Sequence, residues 1–173
     1  MIDKIEAYVV PRVQEAFSRI LVLGDEHGFP LETEKGILLA LSYLSTKLYF
    51  KASYATEWVN ELTDLGKEGI GYPFLFVNTN GIRKEGSTYT IREMVLATAS
   101  DPRWVAEEKR LYVFDPILYN LRNALIDALR DVFAVDEPFD PQTEDVYSEK
   151  ERSKLPEGVD AIVFTNIKLR TIC

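Results

Sequence analysis

Among its 173 residues the chain has one cysteine, Cys173, and one histidine, His27. An internal disulfide is excluded, a thiolate metal site cannot be built, and a reducing cytoplasm suits the composition. A Ser–His or Cys–His nucleophile pair has equally little to draw on. No apolar run approaches the ~20 residues of a membrane span. The opening stretch MIDKIEAYVVPRVQEAF lacks the apolar core of a signal peptide. The chain is therefore expected to be soluble, made in the cytosol and without a membrane partner. Basic side chains are also in deficit, 20 Lys plus Arg against 28 Asp plus Glu, a formal charge of −8. That argues against a sequence-reading nucleic-acid binder, which needs a basic stripe to neutralise phosphates. It does not argue against a surface past which DNA slides, where repulsion helps. The G-x-S-x-G elbow, the P-loop, the dinucleotide-binding glycine fingerprint and H-E-x-x-H are all missing. No cofactor, metal or enzymatic activity is expected.

What the chain does have is the patterning of one globular domain over residues 1–173, with 46% hydrophobic and 12% aromatic residues. Residues 2–23 read as an amphipathic helix, with Ile5, Val9, Val13, Ala16, Phe17, Ile20 and Leu21 at helical spacing and Gly24 as the stop. Pro11 kinks it or begins a second helix. Residues 37–45 read as a helix, 47–54 as an aromatic-rich strand and 55–66 as a short helix. Tyr72–Val77 is an apolar run expected to be buried on both faces. It leads through a hairpin tip at 78–87, carrying Arg83 and Lys84, into a strand over 88–99 that should pair with it antiparallel. After the charged turn SDPRWVAEEKR, a helix is expected to open at Asp115-Pro116, with Asp115 as N-cap and Pro116 at the first helical position. Its apolar face is Ile117, Leu118, Leu121, Leu125, Ala128, Leu129 and Val132. Residues 134–158 are proline-rich, acidic and aperiodic, which suggests an extended arm or surface loop. The final stretch DAIVFTNIKLRTI alternates as a half-buried strand, with Val163, Thr165, Ile167, Leu169 and Thr171 on one face and an open ladder edge. The fold expected is α+β, a mainly antiparallel sheet packed by helices.

Carboxylate-only chemistry remains as an enzymatic possibility, with Glu57, Glu61, Asp101, Glu107 and Glu108 as its candidates. Twenty-eight acidic residues make chance clusters inevitable, and Glu107 and Glu108 beside Lys109 and Arg110 read as a charge-balanced turn. His27, between Glu26 and Gly28, fits a solvated loop better than an active site.

Three blocks carry a family resemblance. They are Tyr72-Pro73-Phe74-Leu75-Phe76, the segment ATASDPRWVAEEKRLYVFDPILYN (residues 97–120), and Val159-Asp160-Ala161-Ile162. In this order they resemble the small α/β tail-terminator (tail-completion) and neck proteins of tailed bacteriophages. The resemblance spans roughly residues 70–173; the N-terminal third matches only in being helical. It implies a tail-terminator-like fold and a ring-forming virion protein of the tail end or neck, commonly a hexamer. A dodecameric head-side connector or neck adaptor is the alternative. Tail-tube, neck or portal proteins would be its partners, and DNA would meet it only by passage through the ring. Contacts between subunits or with those partners are expected at Arg83, Lys84, Trp104, Arg110, Phe139 and Tyr147. A non-catalytic adaptor binding a basic partner through the acidic arm is the competing non-enzymatic reading.

Overall fold

The computed structural model describes residues 1–23, 47–56, 72–100, 103–135, 139, 141–146 and 159–171. The expected helix over 37–45 lies outside these residues, as does all but the first two residues of the one expected over 55–66. The described fold is α+β, a mixed six-stranded sheet with two helices on one face.

Helix α1 spans residues 2–23 without a break at Pro11. The reason is a π-helical segment, Ile5–Val9, in which the Val10 N–H donates to Ile5 O. A proline ring collides with the carbonyl one turn back, and widening that turn removes the collision at the cost of one regular hydrogen bond. Helix α2, residues 106–132, repeats the device. Its middle segment, Arg110–Leu118, is π-helical and contains Pro116, and the Tyr119 N–H donates to Phe114 O. The expected start at Asp115-Pro116 is therefore corrected. The helix begins at Ala106, and Asp115 is an exposed residue inside it rather than an N-cap.

The sheet comprises β1 (Tyr49–Ser53), β2 (Phe74–Asn78), β3 (Arg83–Glu85), β4 (Thr88–Ala99), β5 (Gln142–Val146) and β6 (Val159–Arg170). Its order is β1-β2-β4-β6-β5, with β3 also on β4. Only β1–β2 is parallel; the other pairs are antiparallel. β2 is buried along its whole length, as its unbroken apolar run suggested. The hairpin is shorter than expected. Asn78 belongs to β2, Arg83–Glu85 is a strand, and the turn proper is Gly86-Ser87. Gly86, at φ +62°, occupies the first central position, where type II′ turns place glycine.

Two expectations about the last third of the sequence are overturned. The β6 strand is not an open edge: β4 pairs along one side of it and β5 along the other. Nor is 134–158 wholly an arm, since Gln142–Val146 is the outer strand β5 and Phe139 is buried. A charged, aperiodic sequence still forms a strand when its backbone groups complete a neighbouring ladder.

The strands divide the apolar side chains between two clusters. Toward the helices lie Ile5, Val9, Val13, Phe17 and Ile20 of α1, Leu118, Leu121, Leu125 and Leu129 of α2, and Leu75, Val77, Met94, Leu96, Ile162 and Phe164 of the sheet. Across the sheet lie Ala55, Phe74, Phe76, Val95, Ala97, Val159, Ala161 and Val163. Strand periodicity fails at one place. Ile162 and Phe164 face the helices, and so do Ile167 and Leu169, so the parity flips between them. β4 flips at the same level, between Ile91 and Met94. There the Arg92–Asn166 pair is missing from the ladder, and Asn166 sits at φ +58°. A residue in the left-handed region inverts the alternation, which is why Val163 and Ile167 do not share the face their spacing suggested.

Asn166 is suited to this place because asparagine enters the left-handed region more readily than other non-glycine residues. Asn166→Val should cost about 1–2 kcal/mol, since a β-branched side chain strains that conformation. Urea unfolding is the check, and an unchanged midpoint would contradict this account of the flip.

Candidate functional site

Polar side chains gather at two places, at opposite ends of β4. The first is buried. Lys109, in the first turn of α2, reaches the sheet and donates from Nζ to Asp160 Oδ1 at 2.8 Å and Oδ2 at 3.1 Å. The Lys109 and Asp160 side chains are 3% and 0% exposed. Ser100 completes the group, donating from Oγ to Asp160 Oδ2 at 2.5 Å and accepting from Lys109 Nζ at 3.2 Å. A serine beside a lysine invites a nucleophilic reading. The pairing opposes it: Lys109 Nζ lies 2.8 and 3.1 Å from the two Asp160 oxygens, so the lysine is matched to the carboxylate more closely than to Ser100, 3.2 Å away. The arrangement is a charge-assisted clamp fastening the start of α2 to the sheet where β4 ends and β6 begins.

The second place is open. Between β2 and β3 the chain leaves the ladder over residues 79–82, opposite Ile91 and Arg92, before rejoining it at Arg83. Buried Asn78 fixes this departure. Its Oδ1 accepts from the N–H groups of Ala55 and Asn80, both at 3.0 Å, and its Nδ2 donates to Ala55 O at 3.0 Å and Glu93 Oε1 at 2.9 Å. The interruption and the parity flip together leave a cleft of about 470 Å³ lined by Gly81, Arg83, Thr90, Arg92 and Asn166. Gly81 is required here: at φ +79°, a Cβ would meet Arg92 Cδ at 3.2 Å. Arg83 and Arg92 are exposed, and among the described residues neither guanidinium has an ion-pair partner.

The residues expected at contacts are scattered. Arg83, Lys84 and Arg110 are exposed. Arg83 lines the cleft, whereas Lys84 lies over the Tyr89 ring at 5.3 Å. Trp104 and Phe139 are 8% and 7% exposed and join the helix-side core. Trp104 packs on Tyr112 with ring centroids 5.1 Å apart, and Phe139 accepts from Arg130 Nη2 through its carbonyl at 3.1 Å. Their aromatic surface is thus already used within the chain. Tyr147 lies outside the described residues.

Of the candidate acids, Glu107 is exposed in the first turn of α2, and Glu108 beside it faces the Val105 N–H at 3.5 Å. His27, Glu57, Glu61 and Asp101 lie outside the described residues. Among the described residues no group of three or more His, Cys, Asp or Glu side chains is placed to hold a metal, and no helix is long and apolar enough to cross a membrane. Burial pushes the Tyr72 hydroxyl up from the ordinary tyrosine range.

Sequence reasoning missed Ser100, Lys109 and Asp160, yet a signal existed. Lys109 precedes Val113 and Ile117 at four-residue spacing, so it shares the apolar face of α2. Asp160 stands inside the apolar run VDAIVF. Opposite charges embedded in two apolar patterns are candidates for a buried pair. The cleft had no such signal, because Arg92 and Asn166 meet only through strand pairing. Comparison with protein-family models and with curated proteins gives no match.

Proposed function

We propose that this chain is a structural subunit of a homo-oligomeric ring at the tail end or head–tail neck of a tailed bacteriophage, in the manner of a tail terminator. The observation that carries the reading is the convergence of the three blocks behind the resemblance. Phe74 of the first pairs with Ala97 of the second, and Ala97 pairs with Ala161 of the third. Lys109 and Asp160 then lock the second block to the third. The blocks make one packed unit, as segments of a shared fold would.

Surface features favour self-association. Val105 and Leu111, at the start of α2, are 60% and 54% exposed, with exposed Arg110 beside them. Apolar groups rimmed by charge suit a subunit contact. β1 and β5, the outer strands of the described sheet, lie on opposite sides of it. A head-to-tail contact between two unlike sides closes into a ring when its rotation divides the circle. Net charge of −8 suits a channel that DNA must traverse without sticking.

The test is solution mass by light scattering, with negative-stain images of the same peak. The expected result is a closed ring of about six or twelve chains, and its symmetry distinguishes a terminator from a head-side connector. Leu111→Asp should shift the mass toward monomer while leaving the melting temperature of the subunit fold in place. A monomer at every concentration, indifferent to that substitution, overturns the proposal.

A further inference from the structure

We propose that the cleft between Gly81, Arg83, Thr90, Arg92 and Asn166 is a binding site for a phosphoryl oxyanion. The composition and build of the cleft point to this ligand whether or not the chain forms a ring. Its lining side chains all offer hydrogen-bond donors: two guanidiniums, the Thr90 hydroxyl and the Asn166 amide. None of them is acidic, in a chain whose acidic residues outnumber its basic ones 28 to 20.

Register adds a third cation. Arg83 pairs with Thr90 across β3–β4, and Thr90 pairs with Lys168 across β4–β6, so the three form one row on one face of the sheet. Lys168 is exposed at its end of the row. Among the described residues neither neighbouring carboxylate forms an ion pair with the row. Glu93 is engaged by Asn78 Nδ2 at 2.9 Å, and Glu85 pairs with Thr88 nearer the turn.

A guanidinium presents two parallel N–H groups that match two oxygens of an oxyanion, and two guanidiniums in one cleft match the double charge of a phosphoryl group better than the single charge of a carboxylate. A volume of about 470 Å³ falls in the range of small-ligand sites and exceeds what a single ion needs. The backbone is built around Arg92. Gly81 leaves room for its side chain, and Asn166, at φ +58°, holds the ladder open opposite it. Strain kept at such a place is a recurrent mark of binding sites.

The experiment titrates the full chain with pyrophosphate, following the arginine side-chain Nε–H resonances by NMR and heat by calorimetry. The expected result is saturable binding at one site per chain, weakened at least tenfold in Arg83→Gln/Arg92→Gln. Lys84→Gln, on the opposite face, should bind as the parent does. Both arginines are exposed, so the double variant should melt where the parent melts, and its thermal scan is the control for folding. A short random-sequence DNA duplex separates the sources of the phosphoryl group. Displacement of pyrophosphate with the same arginine dependence assigns the site to polynucleotide phosphates, and failure to displace it assigns the site to a small free ligand. No saturable binding of either probe, or binding undiminished in the double variant, overturns the inference.

Discussion

Lys109→Met is expected to lower stability by about 3–5 kcal/mol, because it leaves the Asp160 carboxylate buried without its counter-charge. Asp160 is fully buried, and its remaining partner is one hydroxyl. Against a total of ~5–15 kcal/mol for a domain of ordinary stability, that loss removes much of the folded population's margin. The informative variant is the double one. Lys109→Met/Asp160→Leu removes both charges and puts apolar groups of comparable size in their place. Replacing a buried pair in this way is often neutral or even stabilising. The double variant should therefore recover most of what the single one loses, with Ser100, only half-buried, turning its hydroxyl to water. Urea midpoints at constant slope measure both. A harmless Lys109→Met, or a double variant no better than the single, would mean that the clamp does not hold α2 to the sheet.

Leu125→Asp should abolish cooperative folding. Leu125 is completely buried on the sheet-facing side of α2, beside Leu121, Ala128 and Leu129. Losing a buried leucine costs ~2–5 kcal/mol, and an unpaired carboxylate in its place adds a penalty of similar order. The sum approaches the whole stability of a typical domain. Arg83→Ala, on an exposed strand, should stay within about 0.5 kcal/mol of the parent. Circular dichroism during urea unfolding separates the two outcomes. A cooperative transition retained in Leu125→Asp would show that the side chain is not held in the core.

Helix faces were the most legible part of the fold, because a 3.6-residue period marks the buried side whatever it packs against. Ile5, Val9, Val13, Phe17 and Ile20 could be read directly, as could Leu121, Leu125, Ala128 and Leu129. The limits of β4, Thr88–Ala99, were equally readable between Ser87 and the charged turn. Less legible were features set by the partner rather than by the segment. Alternation along β6 marks a strand but does not reveal whether one or two neighbours flank it. A proline after aspartate fits a helix start on local grounds. Here a π-helical turn, which leaves no sequence pattern of its own, lets α2 run through Pro116. Phe139 was expected at a subunit or partner contact, yet it packs into the core with the Arg130 guanidinium 5.8 Å from its ring centre. The cleft was least legible, since its residues come from β3, β4, β6 and the 79–82 departure.

The position of β6 bears on how the chain is made. β4 is complete at Ala99, but the strand that covers its second side begins only at Val159. While the intervening sequence is still leaving the ribosome, β4 and β2 form a nascent hairpin with one bare ladder and its apolar side chains only partly covered, since α1 is already made but α2 and β6 are not. An open hydrophobic edge of that kind templates pairing with other nascent chains. Asp160 compounds the delay, since Lys109 has no counter-ion until 51 residues later in synthesis. The domain therefore closes late and nearly all at once, and crowded polysomes translating this message are where its losses to aggregation should concentrate.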